Sequence, residues 1–178
     1  MSFFFAGYFP KKIAVKDDWL KAPAVTEIWS VSECISKGPE NWIQYWRHND
    51  LWLFDMVELA ESVVDPNEGS TFTTVGYKIW HVGFDLGKER STTIPIIETA
   101  VLDPTFESLG FDAVVRGGDS FYCSPLSCNG AAATHPTNEK CLFATADAAI
   151  VGAKEFSAGN WEPGTYWVVE VLGRRCVA

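Results

Sequence analysis

Residues 51–64 read LWLFDMVELAESVV, and residues 72–82 read FTTVGYKIWHV. The first stretch passes from a short apolar strand into a helix whose apolar positions Val57, Ala60 and Val64 lie on one face. The second stretch is dense in aromatic and β-branched residues, which is typical of a strand. Together they predict a strand-helix-strand unit.

The same order of elements recurs in the second half of the chain. Residues 141–157 read CLFATADAAIVGAKEFS and place Thr145 as a candidate helix cap, and residues 165–172, TYWVVEVL, predict the strand that follows. In the first half the candidate cap is Asp55, and Glu58 follows it at the spacing of a capping box. Each half therefore contains a capped helix between two strands.

Residues 1–89 also align without gaps on residues 90–178. This comparison gives 11 identities, where background composition gives about five. The matches include Cys34 with Cys123, Asn49 with Asn138, Leu53 and Phe54 with Leu142 and Phe143, and Ala60 with Ala149. We therefore expect a single domain over residues 1–178, built from two related halves with a pseudo-twofold. The alternative is that two unrelated strand-helix-strand units align by chance.

Strands dominate the rest of the pattern. Further strands are predicted for residues 1–10, 25–31, 93–97 and 111–115. Because strands outnumber helices by about three to one, we expect an α+β fold in which two helices pack on a mixed, mainly antiparallel sheet.

Composition restricts the class of protein. Apolar residues make up 47% of the chain and charged residues 21%, which argues against a disordered or membrane-embedded protein. The net charge of −9 repels phosphate backbones and anionic lipid, so we expect neither nucleic acid nor a membrane as partner. The apolar start lacks the preceding positive charges of a secretory signal. Five cysteines, an odd number, favour reduced thiols and a cytoplasmic location.

Two connections carry the candidate functional residues. In the 36–50 loop, Trp42 and Trp46 are four residues apart and share a face of a helical turn, as an aromatic wall for a ligand would. The alternative for the two tryptophans is a flap that closes over the core. For Asn49 and Asn138 the alternative is that their side chains cap turns by hydrogen bonds to the backbone. The candidate binding residues of both loops are Trp42, Trp46, Arg47, Asn49, Asn129 and Asn138.

The second connection, residues 117–140, is long and rich in Gly, Ser and Asn, which is typical of a functional or mobile loop. If the pseudo-twofold holds, it flanks one cleft with the 36–50 loop. Its thiols and imidazole offer a zinc site made of Cys123, Cys128, His135 and Cys141, although the close cysteine pair of specific zinc motifs is missing. Packed thiols are the alternative, above all for Cys141 beside a predicted strand.

The same residues also allow cysteine catalysis. Cys128, or else Cys123, is a candidate nucleophile, because a thiol beside a histidine gains thiolate character. The base is either His135 or His48 from the other loop. Asn129 or Asn138 is the candidate orienting amide.

Two resemblances extend these interpretations. Residues 53–60 with Tyr77-Lys78-Ile79 are similar to part of the NAD-binding core of ADP-ribosyltransferase-like proteins, which implies NAD as a ligand, but the late catalytic glutamate of that family has no clear counterpart. The run Cys123-Ser-Pro-Leu-Ser-Cys-Asn129, with Asn138 and Leu142-Phe143 downstream, resembles small uncharacterised bacterial proteins with the same segment. That resemblance covers much of the chain and implies no activity.

Two functional hypotheses follow. The first is an acidic cytoplasmic binding protein that regulates or neutralises a protein partner, motivated by the acidic charge and the surplus of tryptophan. The second is an enzyme or small-molecule binder with a cleft between the 36–50 and 117–140 loops, either cysteine-dependent or similar to ADP-ribosyltransferases.

Overall fold

The computed structural model describes residues 2–40, 42–44, 49, 51–67, 71–91, 100–117 and 120–175. The strands are β1 (Phe3–Lys11), β2 (Ala14–Val15), β3 (Glu27–Ile28), β4 (Thr73–Asp85), β5 (Lys88–Ser91), β6 (Phe106–Gly117), β7 (Ser120–Cys123) and β8 (Thr165–Arg174). The α-helices are α1 (Val57–Ser62), α2 (Pro125–Cys128) and α3 (Ala146–Ala158). Short 3-10 turns occupy Trp42–Gln44 and Ala131–Ala133.

One sheet organises the molecule. Its strand order is β1-β4-β8-β6-β7, and β5 pairs with the C-terminal end of β4. Strands β2 and β3 form a separate two-stranded sheet. Every strand pair within the described ranges is antiparallel. The predicted α+β class with a mainly antiparallel sheet is therefore confirmed. No helix in these ranges has the length and apolar character needed to cross a membrane.

The side chains of the central strand β8 divide the core into two clusters. Trp167, Val169 and Val171 belong to a cluster that also contains the buried residues of α1. Tyr166 and Val168 belong to a second cluster, which contains the buried apolar face of α3. Because successive side chains of a strand point to opposite faces, the two clusters lie on opposite sides of the sheet.

The two helix starts differ from each other. The Thr145 cap is confirmed, because its side chain accepts a hydrogen bond from the Ala148 backbone N–H at 3.2 Å. The capping box at Asp55 is wrong. Helix α1 begins one residue later, with Met56 at the cap position and no side-chain cap bond. Among the described residues, Asp55 Oδ1 is buried without a hydrogen-bond partner.

Two predicted strands and the 117–140 connection differ in how the structure places them. The strand predicted for residues 25–31 is reduced to β3, because the backbone carbonyls that follow it bind a buried lysine instead of a neighbouring strand. Residues 93–97 lie outside the described ranges. The 117–140 connection is not a plain loop, since it contains β7, α2 and a 3-10 turn, and Pro125 begins α2 where its missing N–H is not needed.

A turn built on asparagine occurs once in each half. Asn49 Nδ2 donates to the Ala6 carbonyl at 2.7 Å, and its Oδ1 accepts from the Leu51 and Leu53 N–H groups. Asn138 Nδ2 likewise donates to the Leu109 carbonyl at 2.8 Å, while its Oδ1 accepts two N–H groups. The alternative reading of both asparagines as turn-capping residues is therefore confirmed.

A glycine faces each of these turns. Gly7 and Gly110 have φ values of +136° and +140°, and each sits at a bulge in the first strand of its half. A Cβ on Gly110 would lie 3.0 Å from Asn138 Nδ2, and one on Gly7 would lie 3.2 Å from Asn49 Nδ2. The glycines correspond in structure only, since the ungapped alignment places Gly7 opposite Ile96, and the common origin of the two halves stays a prediction.

Candidate thiol site

A fully buried lysine lies at the end of β1. Lys11 Nζ donates to the backbone carbonyls of Ser30, Val31 and Ser32 at 2.6, 2.7 and 2.9 Å. Three carbonyls match the three hydrogens of an ammonium group. Burial opposes the charge and lowers the pKa of Lys11 to about 7.

A fully buried aspartate lies on the other side of the same segment. Asp112 Oδ2 accepts from the Val31 N–H at 2.9 Å and from Ser30 Oγ at 3.4 Å, and its Oδ1 accepts from Ser124 Oγ at 2.6 Å. Burial raises the pKa of the Asp112 carboxyl to about 6, against the opposing effect of these bonds. The aspartate thus ties residues 30–31 to the residue that precedes α2.

Lys11 and Asp112 together fix residues 30–32. The lysine binds the carbonyls of the segment, and the aspartate binds an N–H and a hydroxyl of the same segment. The Ser32 N–H also donates to Ser30 Oγ at 3.2 Å. The backbone of Ser32 is therefore held from two sides, which determines where its hydroxyl lies.

The Ser32 hydroxyl contacts Cys128, the last residue of α2. The distance from Ser32 Oγ to Cys128 Sγ is 3.4 Å, and Ser127 Oγ lies 3.8 Å from the same sulfur. Ser32 Oγ also accepts from the Cys34 backbone N–H at 3.1 Å. The sulfur of Cys128 therefore lies beside two serine hydroxyls.

Two more cysteines adjoin Cys128. Cys123 is buried, and its Sγ donates to Asn129 Oδ1 at 3.2 Å. Cys34 is exposed, and its backbone N–H donates to the same Ser32 hydroxyl that contacts Cys128. Two further cysteines, Cys123 from the same connection and Cys34 from the segment after β3, thus adjoin the half-buried Cys128.

The neighbours of Cys128 favour its thiolate. Hydrogen bonding from the Cys123 side chain lowers the pKa of the Cys128 thiol most, and Ser32 and Ser127 lower it further, while burial acts in the opposite direction. The same interaction and burial raise the pKa of Cys123, so the proton of this pair stays on Cys123. Burial and the charge of Cys128 also raise the pKa of Cys34. Of the three sulfurs, Cys128 is the one suited to nucleophilic attack.

His135 and Cys141 have other surroundings. His135 Nε2 lies 3.1 Å from Glu155 Oε2, its Nδ1 lies 3.0 Å from the Ala131 carbonyl oxygen, and its ring packs on Phe156. Cys141 is buried in the second core cluster, where desolvation raises the pKa of its thiol to about 12. No group of three or more His, Cys, Asp or Glu side chains in the described ranges is arranged to hold a metal ion. The zinc site stays a prediction without support from these placements.

The candidate binding residues are dispersed. Trp42 is half-buried and packs edge to face on Phe9 and Trp52, at ring distances of 5.0 and 5.5 Å. Asn49 and Asn138 are used in turns, and Asn129 serves Cys123. Trp46, Arg47 and His48 lie outside the described residues. The cavity of about 380 Å³ beside Lys37–Glu40 is also lined by Val63, Asp65, Thr71 and Phe72, and none of its described lining residues comes from 117–140.

Sequence reasoning missed Lys11, Asp112, Ser32 and Cys34 as parts of a site. Asp112 had a usable signal, because it is a charged residue inside the apolar strand FDAVV. Lys11 had no such sequence signal, because two lysines after a proline resemble an ordinary solvent-exposed strand end. In the sequence, Cys34 stands out only as the counterpart of Cys123 in the repeat.

The two buried charges predict an unusual pH dependence of stability. Asp112 has a raised pKa of about 6 in the folded state, against 3.8 normally, so its contribution to stability falls as the pH rises from about 4 to 6. Lys11 has a lowered pKa of about 7 against 10.5, so its contribution increases as the pH rises from about 7 towards 10. Their joint contribution is smallest between pH 6 and 7.

Urea unfolding at a series of pH values measures this directly. We expect Asp112→Asn to remove the change in unfolding free energy below pH 6, and Lys11→Met to remove the change above pH 7. Only the difference from wild type at each pH is compared, which cancels the titration of surface groups. Variant curves parallel to the wild-type curve throughout would contradict the assignment.

Comparisons with protein-family models, with curated proteins and with solved structures find no match to this chain.

Proposed function

We propose that the protein acts through a nucleophilic thiolate at Cys128. The observation that carries this proposal is the convergence of hydrogen-bonding groups on one sulfur, with Ser32 Oγ at 3.4 Å and Ser127 Oγ at 3.8 Å. Such groups stabilise the charge of a thiolate more than they stabilise a neutral thiol. The buried Lys11 and Asp112 are positioning residues in this proposal, because they hold Ser32.

The choice among the thiols rests on their surroundings. Cys128 is half-buried, so a small reagent can reach it, whereas Cys123 and Cys141 are buried. The histidine expected to serve as base, His135, pairs with Glu155 instead. A thiol that already carries thiolate character has no need of a histidine base.

Residue-level alkylation by iodoacetamide tests the proposal. We expect Cys128 to react fastest of the described cysteines and its rate to level off at a pH below the ordinary thiol value of about 8.5. Cys141 in the same chain is the internal reference, since its raised pKa predicts very slow reaction. A Cys128 rate that follows an ordinary thiol pH profile would contradict a stabilised thiolate.

The Ser32 hydroxyl accounts for part of the lowered pKa of the Cys128 thiol in this proposal. In Ser32→Ala the Cys128 sulfur loses one hydrogen-bond donor, so we expect the pKa read from the alkylation profile to rise by about one. Ser62→Ala, which removes an exposed hydroxyl on α1, is the matched control and should leave the profile unchanged. Equal profiles for the two variants would remove Ser32 from the site.

The binding-protein hypothesis has less support from the described residues. Its aromatic surface was expected at Trp42 and Trp46, and Trp42 packs on Phe9 and Trp52. The net charge of −9 still favours a cationic partner over an anionic one. Interaction with a protein partner therefore stays a prediction beside the thiol site.

A further inference from the structure

The position of Cys34 beside Cys128 extends the thiol site to a second reactive group. Ser32 Oγ contacts both residues, through the Cys34 N–H at 3.1 Å and through Cys128 Sγ at 3.4 Å. The shared hydroxyl therefore brings the two residues next to each other. No disulfide is formed among the described cysteines, so both thiols hold the electrons that a disulfide partner can accept.

The two thiols differ in accessibility and in surroundings. Cys128 is half-buried and surrounded by hydrogen bonds, whereas Cys34 is exposed. In dithiol proteins one thiolate attacks the substrate and a neighbouring thiol resolves the mixed disulfide. We propose that Cys128 and Cys34 form a dithiol centre that reduces a disulfide of a small molecule. This rests on the proposed function, because it requires Cys128 to attack first.

Each step of the exchange balances. The Cys128 thiolate attacks one sulfur of the disulfide R–S–S–R, forms a mixed disulfide and expels one RS⁻, which takes a proton from solvent. Cys34 loses its proton to solvent and attacks Cys128 Sγ, which forms the Cys34–Cys128 disulfide and expels the second RS⁻. Two protein thiols are oxidised, and one disulfide is reduced to two thiols.

Charge selects among disulfides. Glu33 is half-buried and its charge interacts with that of Lys11, and the charge of Glu162 acts on both Cys34 and Cys123. With the net charge of −9, these carboxylates disfavour an anionic disulfide. We therefore expect cystamine, which carries two ammonium groups, to react about tenfold faster than oxidised glutathione at low salt.

The experiment uses the full chain with Cys176→Ser, because Cys176 lies outside the described residues. The reduced protein is mixed with cystamine, quenched with acid at intervals, and mapped by peptide mass spectrometry. We expect a mixed disulfide on Cys128 first and the Cys34–Cys128 disulfide later. In Cys34→Ser the mixed disulfide should accumulate and persist.

The outcomes separate the two proposals. If Cys128 is alkylated rapidly but only its mixed disulfide forms, or if the intramolecular disulfide joins Cys123 to Cys128, the dithiol centre is wrong and the nucleophilic thiolate stands. If Cys128 reacts with neither iodoacetamide nor cystamine faster than Cys141, both proposals fail. Equal rates for cystamine and oxidised glutathione overturn the charge selection alone.

Discussion

Replacing Lys11 by methionine lowers the free energy of unfolding by about 3–5 kcal/mol. Methionine approximates the length of the lysine side chain, so the main loss is the ammonium group. Three carbonyls, of Ser30, Val31 and Ser32, are then left without their donor in a buried place. The Asp112 carboxylate also loses the favourable effect of the Lys11 charge.

Lys12→Met is the matched control. Lys12 is the adjacent residue and its side chain is exposed, so we expect a change within about 0.5 kcal/mol. Urea unfolding followed by circular dichroism measures both variants under the same conditions. If Lys11→Met unfolds at the wild-type midpoint, the three carbonyls do not depend on the ammonium group and residues 30–32 are held by other contacts.

Gly7→Ala and Gly110→Ala each lower the free energy of unfolding by about 3–5 kcal/mol. Two effects add at both positions. The positive φ is one that alanine rarely adopts. In addition, the new Cβ would lie 2.7 Å from the Phe54 carbonyl oxygen at Gly7, and 2.9 Å from the Phe143 carbonyl oxygen at Gly110. Because these oxygens belong to the backbone, they cannot turn away without breaking the adjoining strand bridge.

Gly130→Ala separates the two effects. Gly130 also has a positive φ, of +74°, but its nearest neighbour to an added Cβ is the Trp19 ring at 3.8 Å. Only the backbone conformation is then unfavourable, and we expect a loss of about 1–2 kcal/mol. Similar losses at Gly7, Gly110 and Gly130 would mean that close approach to the asparagine turns contributes nothing.

The elements that could be predicted are those encoded by local pattern. The apolar stripe behind Thr145 predicted α3, and the aromatic and β-branched runs predicted β4 and β8. Asp55 shows the limit of such reasoning, because a capping box looks the same in sequence whether or not the helix begins there. Only the path of the chain into α1 decides that Met56, and not Asp55, takes the N-cap position.

The site could be predicted only in part, for a similar reason. Cys128 was named from its own surroundings in the sequence, in a segment rich in Ser and Cys. The groups that alter its chemistry come from elsewhere: Ser32 and Cys34 from the segment after β3, and Lys11 from β1. Such contacts depend on how the segment 30–36 passes over the sheet, and no local pattern specifies that path.

The place of β8 in the sheet bears on how the chain matures during synthesis. It is the last strand in sequence among the described residues, yet it lies between β4 and β6. A ribosome that has not yet made residues 165–174 therefore holds a nascent chain in which β4 and β6 both present unpaired edges. Exposed strand edges recruit other strands, so the growing chain is most prone to aggregation just before synthesis reaches β8. Insertion of that strand joins the two halves and closes both edges at once.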